Sequence, residues 1–208
     1  AQTVNLSGIA TGAANESQTL VVTATSSNPS LIPNPAVNYT SPNATGSLSF
    51  TPVADANGSA TITVTVNDGQ TLNNTVTRTF VVSVSSVNNP PTLNPISDVT
   101  INEDAAAQTV SLTGIGTGAA NETQPLTVTV TSSNPSLIPT PTVSYVSPAA
   151  SGTLSFTPVA NASGTATITV IVNDGQALSN TVSRTFTVTV NPVNDAPTNV
   201  TPPVISGD

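Results

Sequence analysis

Residues 165–190 read TATITVIVNDGQALSNTVSRTFTVTV, and the fold follows from how these letters alternate. Ala166, Ile168, Val170 and Val172 share one face of an extended chain, with Thr165, Thr167 and Thr169 on the other. Successive side chains of a strand point to opposite faces, so this period of two predicts a strand buried on one side, with Thr167 and Thr169 exposed. Thr181 to Val190 repeats the pattern, with Val182, Phe186, Val188 and Val190 inward. Asn173-Asp174-Gly175 between the two runs supplies turn chemistry. Arg184 falls in the inward phase, and its stem is expected to pack on the core while the guanidinium reaches water at the sheet end.

The same text occurs twice. Gln2-Thr3-Val4 recurs as Gln108-Thr109-Val110, and Val66-Asn67-Asp68-Gly69-Gln70 as Val172-Asn173-Asp174-Gly175-Gln176, at a constant offset of 106 residues. An ungapped repeat of this length is a self-contained domain rather than a small solenoid unit. The second copy predicts strands over Leu93–Ile101, Gln108–Thr113, Leu126–Ser132, Thr142–Val146, Thr153–Phe156, Thr165–Val172 and Thr181–Val190. Short strands separated by Gly, Pro and Asn turns predict an all-β chain of two tandem Ig-like sandwiches in a linear array. The expected boundaries are 1–91 for the first repeat, 92–196 for the second and 197–208 for a tail. Ala1 aligns with Ala107, so residues 1–91 contain no counterpart of the first strand.

Composition restricts the partners. The 208 residues carry a net charge of −8, with Arg78 and Arg184 the only cations. A chain this acidic does not suit nucleic acid or an anionic membrane, and no apolar run reaches the ~20 residues of a membrane span. Abundant Val and Thr with few charges are the reverse of a disordered composition. The absence of His and Cys removes the common acid–base and thiol nucleophile chemistry. Ser and Thr abound without a nucleophile-elbow motif, and Gly8 to Gly12 is followed by no lysine of a phosphate loop. The expectation is that the chain is not an enzyme.

Val193-Asn194-Asp195-Ala196-Pro197 closes the second copy, Val87-Asn88-Asn89-Pro90-Pro91 closes the first, and Ile101-Asn102-Glu103-Asp104 opens the second. With the Val-Asn-Asp-Gly turn, these motifs resemble the cadherin-like and Ig-like repeats of large bacterial surface proteins over essentially the whole chain. The resemblance implies an extracellular or cell-surface location and Ca²⁺ bound where repeats meet. At the inner junction the candidate ligands are Asp55, Asn88, Asn89, Glu122 and Asp174. At the outer junction they are Glu103, Asp104, Asn194, Asp195, Glu16, Asp68 and Asp208. Carboxylates, Asn and main-chain carbonyls suit the 6–8 oxygen ligands of Ca²⁺. The acidic pair of cadherins is absent, with Asn161 in one copy and Asp55 alone in the other, and Asn89 replaces the linker Asp. Asp and Asn are also ordinary turn residues, which accounts for the same positions without a metal.

Two functions fit. The first is a structural building block of an extracellular fibre or stalk, with copies of the chain as partners in a linear polymer. The alternative is an adhesin module that binds a surface glycan or protein. Aromatic residues are 3% of the chain, and Phe50, Phe80, Phe156 and Phe186 are repeat equivalents on strands, which favours the first. Asn15, Asn43, Asn57, Asn73, Asn121 and Asn161 head Asn-x-Ser/Thr triplets in predicted loops and are candidate glycan acceptors. The tail carries Val204 and Ile205 where a next first strand belongs. It is expected to complete the first repeat of a following copy by strand addition. The rival source of that strand is a longer polypeptide of which these residues are one window.

Overall fold

The computed structural model describes residues 1–197, and no helix occurs among them. The chain divides into two compact units, Ala1–Val87 and the residues from Asn88 onward. Unit 1 contains β1 (Gln2–Ser7), β2 (Val21–Ser26), β3 (Ala36–Asn38), β4 (Thr45–Phe50), β5 (Gly58–Asn67) and β6 (Thr75–Val84). Its sheets have the orders β1-β4-β3 and β2-β5-β6. Unit 2 repeats this with β8 (Gln108–Thr113), β9 (Thr127–Ser132), β10 (Thr142–Ser144), β11 (Ser151–Phe156), β12 (Gly164–Asn173) and β13 (Thr181–Asn191). It adds β7 (Val99–Asn102) at the edge of one sheet, so the orders become β8-β11-β10 and β7-β13-β12-β9. All pairings are antiparallel except β7 on β13, which is parallel.

The alternation builds the core of each sandwich. In unit 2, Leu112 and Leu154 of one sheet meet Ile168, Val170, Val172, Phe186 and Val188 of the other, closed by Leu137 and Ile138 from the β9–β10 connection. Ile168 and Val170 are fully buried and Thr167 is exposed, as the period of two requires. Thr169 is half-buried rather than exposed. It sits mid-sheet between Thr185 of β13 and Thr131 of β9, whose side chains cover it.

The expected first strand of unit 2 is broken. Only Val99–Asn102 of the stretch expected to run from Leu93 is strand, because Pro95 has no N–H to give a ladder. Before that proline the chain lies against the β8 sheet, with a Thr92–Gly116 bridge and Asn94 N–H donating to the Thr113 carbonyl at 2.9 Å. After it the chain crosses to β13, where Asp98 Oδ1 accepts from Thr187 N–H at 2.7 Å just ahead of the parallel pairing. Arg184 does more than extend its guanidinium to water: Nε donates to the Leu93 carbonyl at 3.0 Å and pins the crossing segment. The remaining strands begin and end within a residue or two of expectation.

Unit 1 shows what that segment covers. Among its described residues nothing corresponds to 92–102, and a groove of about 490 Å³ opens beside Leu6, Val66, Val76, Arg78 and Phe80. Phe80 and Val82 are half-buried, whereas their equivalents Phe186 and Val188 are 2% and 0% exposed.

The two copies therefore provide a controlled comparison. Phe186→Ala is expected to cost about 3–5 kcal/mol of unit 2 stability in chemical denaturation, the range for deleting a buried ring. Phe80→Ala should cost unit 1 distinctly less, because part of that ring already faces water. Equal losses would contradict the difference in burial.

Candidate functional site

The turn after β12 positions one carboxylate. Asn173 Oδ1 accepts from Gly175 N–H at 2.6 Å, Asp174 Oδ1 accepts from Gln176 N–H at 2.9 Å, and Gly175 takes φ +76°, a conformation glycine adopts without strain. Asp174 is 1% exposed, the one buried charged side chain among the described residues. Burying a carboxylate is costly unless hydrogen-bond donors replace the water it loses. Those donors come from the segment that opens the unit. Asn88 Nδ2 donates to Asp174 Oδ2 at 2.9 Å, and lies 3.0 and 3.2 Å from the Leu178 and Ser179 carbonyls. Asn89 N–H donates to Glu122 Oε1 at 2.6 Å. Gln124 Nε2 ties the set together, 3.0 Å from Asn88 Oδ1, 3.3 Å from Glu122 Oε2 and 3.5 Å from Asp174 Oδ2. Gly118 lies beneath the same segment with φ +100°, and a Cβ there would overlap the Pro90 carbonyl.

Four of the five inner-junction candidates thus converge in unit 2: Asn88, Asn89, Glu122 and Asp174. Asp55 belongs to unit 1, where it occupies a turn at φ +60°. The cluster is organised as a clamp of amide donors on two carboxylates. Both carboxylates accept from N–H groups of the opening segment and of Gln124. Among the described residues no three acidic side chains gather closely enough to hold a metal ion. Sequence reasoning passed over Gln124 and Gly118, although their equivalents Gln18 and Gly12 stand at the same offset in the first copy.

The outer-junction residues of unit 2 work on the main chain. Glu103 Oε1 accepts from Val193 N–H at 2.6 Å, while Glu103 N–H donates to the Asn191 carbonyl at 2.9 Å. Asp104, at φ +61°, accepts from Asn161 N–H at 3.0 Å. Asn194 and Asp195 are exposed, and Asn194 Nδ2 reaches only its neighbour, the Asp195 carbonyl, at 3.1 Å. In unit 1, Glu16 is exposed and Asp68 half-buried, its Oδ1 accepting from Gln70 N–H at 3.0 Å. Asp208, Val204 and Ile205 lie outside the described residues. Asn15, Asn43, Asn57, Asn73, Asn121 and Asn161 are all exposed and outside strands.

Two paired sheets around one core per unit, repeated in register, define tandem Ig-like sandwiches of the bacterial Ig/cadherin-like type. The chain belongs to the family described as bacterial Ig domain, which matches residues 1–81 and 88–191. Among solved structures it is similar to domains 1–6 of the surface layer protein SbsC, at 22% identity and a TM-score of 0.36, covering 84% of this chain and 20% of that one. Domains 4 and 5 of SbsC match at 23% identity and a TM-score of 0.35, with 82% and 70% covered. Cadherin-like domains 1 to 4 of zebrafish RET match at 16% identity and a TM-score of 0.31, with 84% and 42% covered. The chain spans about a fifth of the first of these structures. No curated protein matches. No helix of the described residues is long and apolar enough to cross a membrane.

The clamp predicts an asymmetric response to mutation. Asn88→Ala strips a donor from a buried carboxylate and should lower unit 2 stability by about 1–3 kcal/mol. Gly118→Ala should also destabilise unit 2, from strain and from overlap with Pro90. Gly12→Ala in unit 1 carries the φ strain alone and should cost less. Chemical denaturation followed by fluorescence of the tyrosine in each unit reads all three.

Proposed function

We propose that the chain is a non-enzymatic structural building block of an extracellular or cell-surface fibre or stalk, in which sandwiches follow one another head to tail. The clamp of Asn88 and Asn89 on Glu122, Gln124 and Asp174 carries this reading. It spends a buried carboxylate on holding the segment that leads into a repeat, which serves position rather than chemistry. Four of its five residues recur at the offset of 106, as Asn194, Glu16, Gln18 and Asp68, as expected of a unit made to be strung in series. The aromatic rings favour this role over sugar binding: Phe50, Phe156 and Phe186 are buried in the cores, and Phe80 lines the unit 1 groove.

The finer form of the reading is strand donation. The tail with Val204 and Ile205 fills the groove of unit 1 in the next copy, a heterologous contact that propagates rather than closes. Calcium belongs to the outer junction in this scheme, where Asp195 replaces Asn89 and adds a charge. Glycans on the six exposed asparagines would keep a surface poor in charge soluble.

Electron microscopy of native material is expected to show filaments or stalks. Isolated monomeric particles would overturn the structural role. Deleting Val200–Asp208 should abolish filaments formed by strand donation, and filaments that persist would refute that form. If calcium holds the outer junction, excess chelator should lower the melting temperature, since a native-state ligand stabilises by mass action. In that case Asp195→Ala should reduce the calcium effect more than Asn89→Ala.

A further inference from the structure

The two copies are unequal in one motif. Residues 1–91 hold six Asn-x-Ser/Thr triplets, headed by Asn5, Asn15, Asn38, Asn43, Asn57 and Asn73, whereas the equivalent residues 107–197 hold two, headed by Asn121 and Asn161. Five of the six lose their asparagine in the second copy, to Ser111, Ser144, Ala149, Ser163 and Ser179, although four of those five keep a Ser or Thr two residues on. The fold gathers three of the five, Asn5, Asn38 and Asn43, on one surface.

Asn5 lies in β1 and Asn38 in β3, the strands that flank β4, and both pair with Ser47 of β4. The row of three puts the two asparagines about 9–10 Å apart, two strand spacings. Leu6, Val37 and Leu48 alternate with this row and pack in the core, so the row belongs to the outer face of the sheet. Asn5 and Asn38 are exposed, and Asn43, between β3 and β4, lines the same open depression of about 530 Å³. Ser7, Thr40 and Thr45, the third residues of the three triplets, line it as well. Ser47 is half-buried between Asn5 and Asn38, where its counterpart Thr153 is exposed between Ser111 and Ser144. The opening segment of a unit does not cover this face: unit 2 has that segment in place, and Ser111, Ser144 and Thr153 stay exposed.

We propose that Asn5, Asn38 and Asn43 are N-glycosylated and that their glycans clad the outer face of the β1-β4-β3 sheet, a covering that unit 2 lacks. Asn-x-Ser/Thr is the acceptor sequence for N-linked transfer. The asparagine Nδ2 bonds to the anomeric carbon of a glycosyl diphosphate donor, the diphosphate leaves with the bonding electron pair, and the amide gives up one proton. A strand holds its backbone extended and paired, so Asn5 and Asn38 accept their glycans before the sheet closes, whereas Asn43 remains accessible outside the strands. The covering has a physical use. β3 ends the sheet, and β1, β3 and β4 carry no charged residue, the usual guard of an exposed edge; a bulky glycan on Asn38 supplies that guard instead.

This inference rests on the glycan part of the proposed function and extends it from loops to two strand asparagines. The two arginines make its test direct. Cleavage after Arg78 and Arg184 divides the chain from its native source into 1–78, 79–184 and 185–208, with all six triplets of unit 1 in the first fragment. Mass spectrometry is expected to find glycan on Asn5, Asn38 and Asn43, and enzymatic release should leave Asp at each. Asn5→Ser, Asn38→Ser and Asn43→Ala, produced in the same source, install the residues that unit 2 carries at these places. Each variant should therefore fold and lose the mass of one glycan. Glycan on Asn15, Asn57 or Asn73 with Asn5 and Asn38 bare would overturn the clad face and leave the loop reading standing. Glycan mass unchanged by the three substitutions would overturn it too. Fragments that all run at their sequence masses would overturn both readings.

Discussion

A carboxylate that has left water must be given donors, and in unit 2 those of Asp174 come from its own turn and from side chains brought by two other stretches of chain. The Asn173-Asp174-Gly175 turn satisfies one oxygen through Gln176 N–H, and Asn88 with Gln124 satisfies the other. This makes the opening segment of the unit a structural part of it rather than a tether. Once Asn88 and Asn89 are fixed, Pro90 rests on Gly118, Thr92 bridges Gly116, and the chain is delivered to the Arg184 side chain and then to β13. A buried charge is weak evidence of stability, but losing one partner is severe. That asymmetry makes the pairing a device for specifying where a segment sits.

The duplication isolates the contribution of residues 92–102. Units 1 and 2 share strands, turns and core residues at a constant offset, yet equivalent side chains differ in burial along one edge. The difference runs through Phe80, Val82 and Val84, whose counterparts Phe186, Val188 and Val190 are sealed. Removing large side chains such as these from water is the main favourable term for a sandwich of this size, at about 25 cal/mol per Å². The segment therefore matters less for the hydrogen bonds of its short strand than for the apolar surface it covers.

The sandwich was legible because alternation of Thr with Val, Ile and Phe is a direct image of the pleat, and Asn-Asp-Gly marks the turn. The first strand was only half legible. A proline in an otherwise apolar stretch announces a break, but where the chain goes next depends on Arg184 and Asp98, residues distant from each other in sequence. At the site, Asn88, Asn89, Glu122 and Asp174 were named because the cadherin-like resemblance puts acidic and amide residues where repeats meet, and hydrogen bonds join them in unit 2. Gln124 and Gly118 were not. A glutamine carries no charge to mark it, and a glycine reveals a close approach only when the approaching segment is known. That Asn88 would present its amide rather than its oxygen was beyond the sequence, because either end of an asparagine side chain suits a polar cluster.

Charge distinguishes the joint assembled in unit 2 from the equivalent set of residues at the outer junction. In unit 2 the clamp sets neutral amides against two carboxylates, and Asn89 adds nothing to their charge. The segment that ends the second copy has Asp195 at that position, so the head-to-tail arrangement proposed above would bring Glu16, Asp68 and Asp195 together. Three like charges at one end of a sandwich repel unless ions screen them or a cation is shared. One substitution between equivalent positions would separate a permanent connection within a chain from a conditional one between chains.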